Sequence, residues 1–100
     1  MRERRVRFTA TADQHIDRER AWWLGNREHQ ELFATEIESA VRILAILPGA
    51  GTPYLRTDLP DLRRLYLRKI GCHAYYTFND DEVIVRALWG GRREHGPMIE

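Results

Sequence analysis

Cysteine is nearly absent: Cys72 is the single one in 100 residues. An intramolecular disulfide is therefore impossible, and neither a CxxC pair nor a Cys/His cluster is present to hold a metal. A disulfide-knit secreted fold and a zinc domain are excluded, and no cofactor is expected. Long apolar runs are missing too. None approaches the ~20 residues that span a bilayer, and Arg2, Glu3, Arg4, Arg5 and Arg7 fill the stretch where a signal peptide would carry its apolar region. A soluble cytoplasmic protein with no membrane role is the expectation. Glycine and proline are sparse, at 7 and 4, while 43% of residues are hydrophobic, which excludes disorder and low complexity. What remains is one domain over residues 1–100, of a size that hides about two-thirds of its chain surface on folding.

Lysine is almost missing as well, since only Lys69 accompanies fifteen arginines. A GC-rich coding sequence produces such an excess by itself, so position carries more meaning than count. The net charge of +1 conceals segregation: residues 1–10 carry +3, residues 11–38 carry −4 and residues 56–69 carry +3. Guanidinium is a planar fork that matches phosphate and carboxylate, so the two basic stretches are candidate anion or nucleic-acid surfaces.

Arg5, Val6, Arg7 and Phe8 alternate with the period of a half-buried strand. Thr9 or Thr11 can cap a first helix, in which Ala12, Ile16, Arg20 and Trp23 recur on one side until Gly25 and Asn26 interrupt. Asn26 is a suitable cap for a second helix, whose apolar stripe is Phe33, Ile37, Ala40, Val41, Leu44 and Leu47 before Pro48 and Gly49. Leu32, Ile43 and Ile46 fall off that stripe and predict a contact beyond the helix's own sheet. A loop of about a dozen residues follows, longer than ordinary connections. From Leu62 the pattern predicts three strands joined by turns at Ile70–Gly71 and at Asn79 to Glu82, ending at Gly90 and Gly91. Helices early and a meander late predict an α+β fold: a small antiparallel sheet, with one N-terminal strand and a C-terminal three-stranded meander, and two N-terminal helices packed on one face.

Strand alternation points Leu65, Leu67, Ala74, Tyr76, Phe78, Val83, Val85 and Ala87 to the helices. The other face then carries Arg64, Tyr66, Arg68, His73, Tyr75, Thr77 and Arg86, with Arg92, Arg93 and His95 at its rim. Cations neutralise phosphate, aromatic rings stack on unpaired bases and histidine titrates near neutrality, so this face has the parts of a nucleic-acid site. A solvated antiparallel sheet displays the same residue types. On the first helix Trp22 and Trp23 point about 100° apart, which makes one of them a candidate partner contact. Glu36 with Glu38, and Asp80 with Asp81 and Glu82, are carboxylates close in sequence; the first two do not share a helix face and the others form a turn. Gly90–Gly91 is not a phosphate loop.

Taken from Val6 to Pro97, the chain resembles the RelE/ParE family of bacterial type II toxin–antitoxin systems, in its ParE-like, plasmid-stabilisation branch. The resemblance rests on Phe8-Thr9 with Ala12 and Ile16, on Trp22-Trp23 and Asn26, on Phe33 with Glu36 and Ala40, and on Leu47-Pro48 with Gly51 and Pro53. Its most telling part is Arg63-Arg64, Tyr75-Tyr76, and Ala87-Leu88-Trp89 leading through Gly91 to Arg92-Arg93 and Gly96-Pro97. The family's fold is the one expected above.

The resemblance implies a growth-inhibiting toxin neutralised by a cognate antitoxin. Trp22, Trp23, Leu32, Ile43 and Ile46 are the expected antitoxin contacts, and Arg64, Tyr66, Arg68, Tyr75, Arg86, Arg92 and Arg93 the target-facing surface. ParE-like members poison DNA gyrase, and for that activity no catalytic residue is assigned. RelE-like members instead cleave messenger RNA on the ribosome, a reaction needing cations and proton-transfer groups around the phosphate. Here Arg64, His73 and Arg93 would fill those roles. His73 stands where the RelE hairpin has an arginine, and Ile99 lies near the place of its C-terminal tyrosine, so the likeness to ParE is closer. A non-toxic nucleic-acid-binding module is the third reading.

Overall fold

The computed structural model describes residues 3–26, 28–56, 58–91, 96–97 and 99. Strand β1 (Arg5–Phe8) leads into helix α1 (Ala10–Asn26) and then helix α2 (Glu31–Ile46). A 3-10 turn at Pro48–Ala50 precedes β2 (Thr52–Pro53), and β3 (Arg63–Leu67), β4 (Cys72–Phe78) and β5 (Glu82–Gly90) complete the chain order. Among the described residues the sheet has five strands in the order β1-β5-β4-β3-β2. All neighbours are antiparallel except β1 and β5, which run parallel with Val6 beside Val83 and Phe8 beside Val85.

The expected α+β fold is present, with three differences that have physical causes. The first is Asn26, which does not cap the second helix. Its side-chain amide donates to the Trp22 carbonyl at 2.8 Å, and Gln30 donates to the Leu24 carbonyl at 3.0 Å. Both amides thus bind carbonyls near the end of α1, while α2 begins after Gln30 without a side-chain cap. At the other end of α1 the expectation holds: the Thr9 hydroxyl accepts the Ala12 N–H at 3.1 Å.

The second difference lies between β4 and β5. Tyr75 pairs with Ala87 but Tyr76 pairs with Val85, so Arg86 is an extra residue in β5. That bulge reverses the alternation beyond it. Ala87, expected toward the helices, joins Tyr75, Leu62 and Ile99 on the far side, and Leu88 takes the helix side with Cys72, Ala74 and Leu67.

The third is the loop after α2. Part of it is the two-residue strand β2, which pairs with Arg63 and Arg64, and the rest supplies Tyr54, Leu59 and Leu62 to a small second core on the far face. The main core lies between helices and sheet, around Ile16, Trp23, Phe33, Leu44, Tyr76 and Val83.

Two local devices fix the geometry around that core. Beyond Phe8 strand β5 loses its β1 neighbour, and α1 takes over: His15 Nδ1 accepts the Leu88 N–H at 3.2 Å, and the His15 ring meets Trp89 edge-on at 5.1 Å. Tyr76 is fully buried; its hydroxyl donates to the Pro48 carbonyl at 2.6 Å and accepts the Gly51 N–H at 2.9 Å. Burial pushes the Tyr76 phenol up, which keeps it a donor. The chain between α2 and β2 is therefore bolted to the middle of the sheet.

Candidate interaction surfaces

The far face follows from the register. Tyr66, His73 and Trp89 lie opposite one another in one cross-strand row, and Arg64, Tyr75 and Ala87 form the next. The β1–β5 pairing brings Arg5 beside Glu82 and Arg7 beside Ile84 on the same side. The alternation of residues 5–8 already made these two arginines outward-facing. Their membership of this face depended on the parallel pairing of β1 with β5, which no local pattern announces, and the sequence reading left them out of the surface.

The residues expected on this face have different fates. Tyr66 is 54% exposed, with its ring 4.9 Å from that of His73. Arg64 is half-buried, its guanidinium 5.0 Å from the centre of the Tyr54 ring. Arg86 is also half-buried and donates to the Thr77 hydroxyl at 2.9 Å. Tyr75, expected in the open, is only 4% exposed, because Tyr54 packs edge-on against it at 5.1 Å. Arg68 lies beyond the end of β3, exposed in the turn that Gly71 closes with a φ of +65°. There it lines a groove of about 580 Å³ with Trp23, His29, Leu32 and Lys69, beside the helices rather than on the far face. Arg92, Arg93 and His95 lie outside the described residues.

Arg64 and His73 are thus neighbours in adjacent strands. Burial, and then the positive charge of Arg64, hold the His73 imidazolium below the ordinary histidine range. His73 is therefore neutral near pH 7 and presents an uncharged aromatic ring beside a cation.

The residues expected to meet a partner separate as well. Trp23 is 5% exposed and packs on Phe33, while Trp22 is half-buried against the same core with its ring 6.3 Å from that of Trp23. Leu32 is half-buried against the core too. Ile43 and Ile46 do face solvent, at 43% and 38%, and Leu47 continues their strip at 56%. Leu47 was expected to close the buried stripe, but the helix ends at Ile46 and the chain turns there. Leu24, at 59% exposed, is a further apolar side chain that the sequence reading passed over.

Among the described residues no three His, Cys, Asp or Glu side chains come together as a metal site, and no helix is long and apolar enough to cross a membrane.

This arrangement of helices and sheet is one already known in solved structures. The chain superposes on a protein of the chromosomal ParDE TA system from P. aeruginosa with a TM-score of 0.70, covering 88% of this chain and 96% of that one at 16% identity. Such a likeness defines the fold. The sequence itself goes further: residues 6–95 match the model of the ParE toxin of the type II toxin-antitoxin system parDE, and the chain belongs to that family. No curated protein is similar enough to count as a relative.

Proposed function

We propose that this toxin arrests bacterial growth by acting on DNA gyrase in the cytoplasm, and that a cognate antitoxin silences it by covering the apolar strip at the end of α2. The observation that carries the antitoxin reading is the strip itself. Ile43 and Ile46, about one turn apart at the end of α2, and Leu47 just beyond it are 43%, 38% and 56% exposed. A contiguous apolar surface of this kind is characteristic of a partner contact. Charge supports the same reading, because the −4 of residues 11–38 and the basic strands make the chain a dipole that an antitoxin crossing both can match. Membership of the ParE family supports gyrase as the target, since gyrase poisoning is what ParE-like toxins typically do.

The test is growth. Inducing the chain alone in a bacterial host should stop division, and co-expressing the protein encoded beside it should restore growth. The double substitution Ile43→Glu with Ile46→Glu should leave the chain folded and toxic while weakening antitoxin binding about 100-fold, the scale of losing a central interface contact. Normal growth in cells that accumulate the folded chain alone would refute the proposal.

A further inference from the structure

Among the described residues Tyr66 contributes to none of the buried clusters on either side of the sheet, although it lies in a strand between half-buried and buried neighbours. Tyr66 is 54% exposed and its ring stands 4.9 Å from that of the half-buried His73 at an interplanar angle of 43°, so the two rings form one small aromatic surface with Tyr66 at its open side. Trp89 stands opposite His73 in the same row and turns its ring toward His15. Folding does not require an aromatic side chain at position 66.

The surroundings of this pair are cationic. Arg5, Arg7, Arg64 and Arg86 share the face with a single carboxylate, Glu82, among the described strand residues. Glu82 is engaged by Arg7 at 3.2 Å. Arg64 precedes Tyr66 by two residues on the same strand face, and its charge is felt at His73. A ring pair with an exposed tyrosine beside a guanidinium on a positive sheet complements a nucleobase attached to a phosphate. It does not complement duplex nucleic acid, whose bases already stack on each other.

From this geometry we infer that the Tyr66–His73 pair is a stacking platform for an unpaired base of a single-stranded nucleic acid, with Arg64 neutralising the neighbouring phosphate. The inference goes beyond the gyrase reading and is independent of it. It needs no chemistry at the bound strand. A neutral His73 suits the role, because its ring then stacks without adding a charge to be desolvated.

Fluorescence anisotropy with labelled single-stranded oligo(U), oligo(dT), an abasic strand and a duplex of equal length provides the test. The purified full chain should bind at least one of the two base-bearing single strands, more tightly than the duplex, and more weakly as salt rises. Oligo(U) alone identifies RNA as the source of the base, oligo(dT) alone identifies DNA, and both together identify a platform indifferent to the sugar. Tyr66→Ala should weaken binding to the base-bearing strand about tenfold, the usual worth of one stacked base. Tyr66→Trp should restore that binding, and the abasic strand should bind wild type and Tyr66→Ala alike. The thermal midpoint of each variant should match wild type, because the ring is exposed. Absence of binding to both single strands, equal loss on the abasic strand, or binding undiminished in Tyr66→Ala would overturn the inference. Equally tight binding to polyglutamate would do the same, since it would reduce the surface to a polyanion sink. None of these readings involves gyrase or growth, so this platform and the proposed function fail separately.

Discussion

Trp23→Ala should cost about 3–5 kcal/mol of stability, the range for deleting a large aromatic side chain from a core. In a domain of this size that lowers the thermal midpoint by roughly 15 °C or more. Trp23 is 5% exposed, lies against Phe33 with ring centres 6.4 Å apart, and belongs to the cluster that joins both helices to β3 and β4. Trp22→Ala should cost much less, since its half-buried ring rests on the rim of that cluster. The contrast matters for the antitoxin. Loss of antitoxin binding in Trp23→Ala would report unfolding, whereas loss in the Ile43 and Ile46 variants would report contact. Calorimetry of both tryptophan variants decides the matter: a Trp23→Ala protein melting within a few degrees of wild type would return this residue to the interface.

The second large effect is expected at Gly51. A Cβ there would stand 2.6 Å from both the Arg64 carbonyl oxygen and the Tyr76 hydroxyl, far inside van der Waals contact. Arg63 also donates to the Gly51 carbonyl at 2.6 Å, so the backbone is held from several sides and cannot retreat. Gly51→Ala should therefore destabilise by about 3 kcal/mol, combining overpacking with a broken buried hydrogen bond. Tyr76→Phe should cost about 1–3 kcal/mol, because it strips a donor from Pro48 and an acceptor from Gly51 in a buried setting. The double variant should cost less than the two singles together, since removing the hydroxyl removes one of the two clashes. Urea denaturation of the three variants measures this coupling. Strict additivity would mean that the hydroxyl and the missing Cβ do not compete for the same space.

These sites also mark where sequence reading succeeds and where it stops. The period of Val6 and Phe8, the stripe of Phe33, Ala40 and Leu44, and the alternation along β3 and β4 are local signals, and each predicted its element. The partner of β1 is not local: a parallel pairing between residues 5–8 and 82–85 joins opposite ends of the chain. The Arg86 bulge was also invisible, because Val83, Val85, Ala87 and Trp89 read as an unbroken alternation, and one extra residue turned Ala87 away from the helices. Strand β2 is two residues long and includes a proline, too short to show any period. Burial of Tyr75 depended on where the loop bearing Tyr54 and Leu59 came to rest. For the surfaces, polarity and period found Tyr66, Ile43 and Ile46. They could not separate Trp22 from Trp23, since adjacent tryptophans on a helix differ only in how far each one turns toward the core.

The claim that this ParE-family toxin acts on gyrase is tested most directly in cells that express the wild-type chain, with plasmid DNA and messenger RNA recovered from the same culture. Trapping of cleaved, protein-linked plasmid DNA while ribosome-bound messages remain whole is the predicted result, and His73→Ala should leave it unchanged. Intact plasmid with cut messenger RNA, the cutting abolished by His73→Ala, would contradict it.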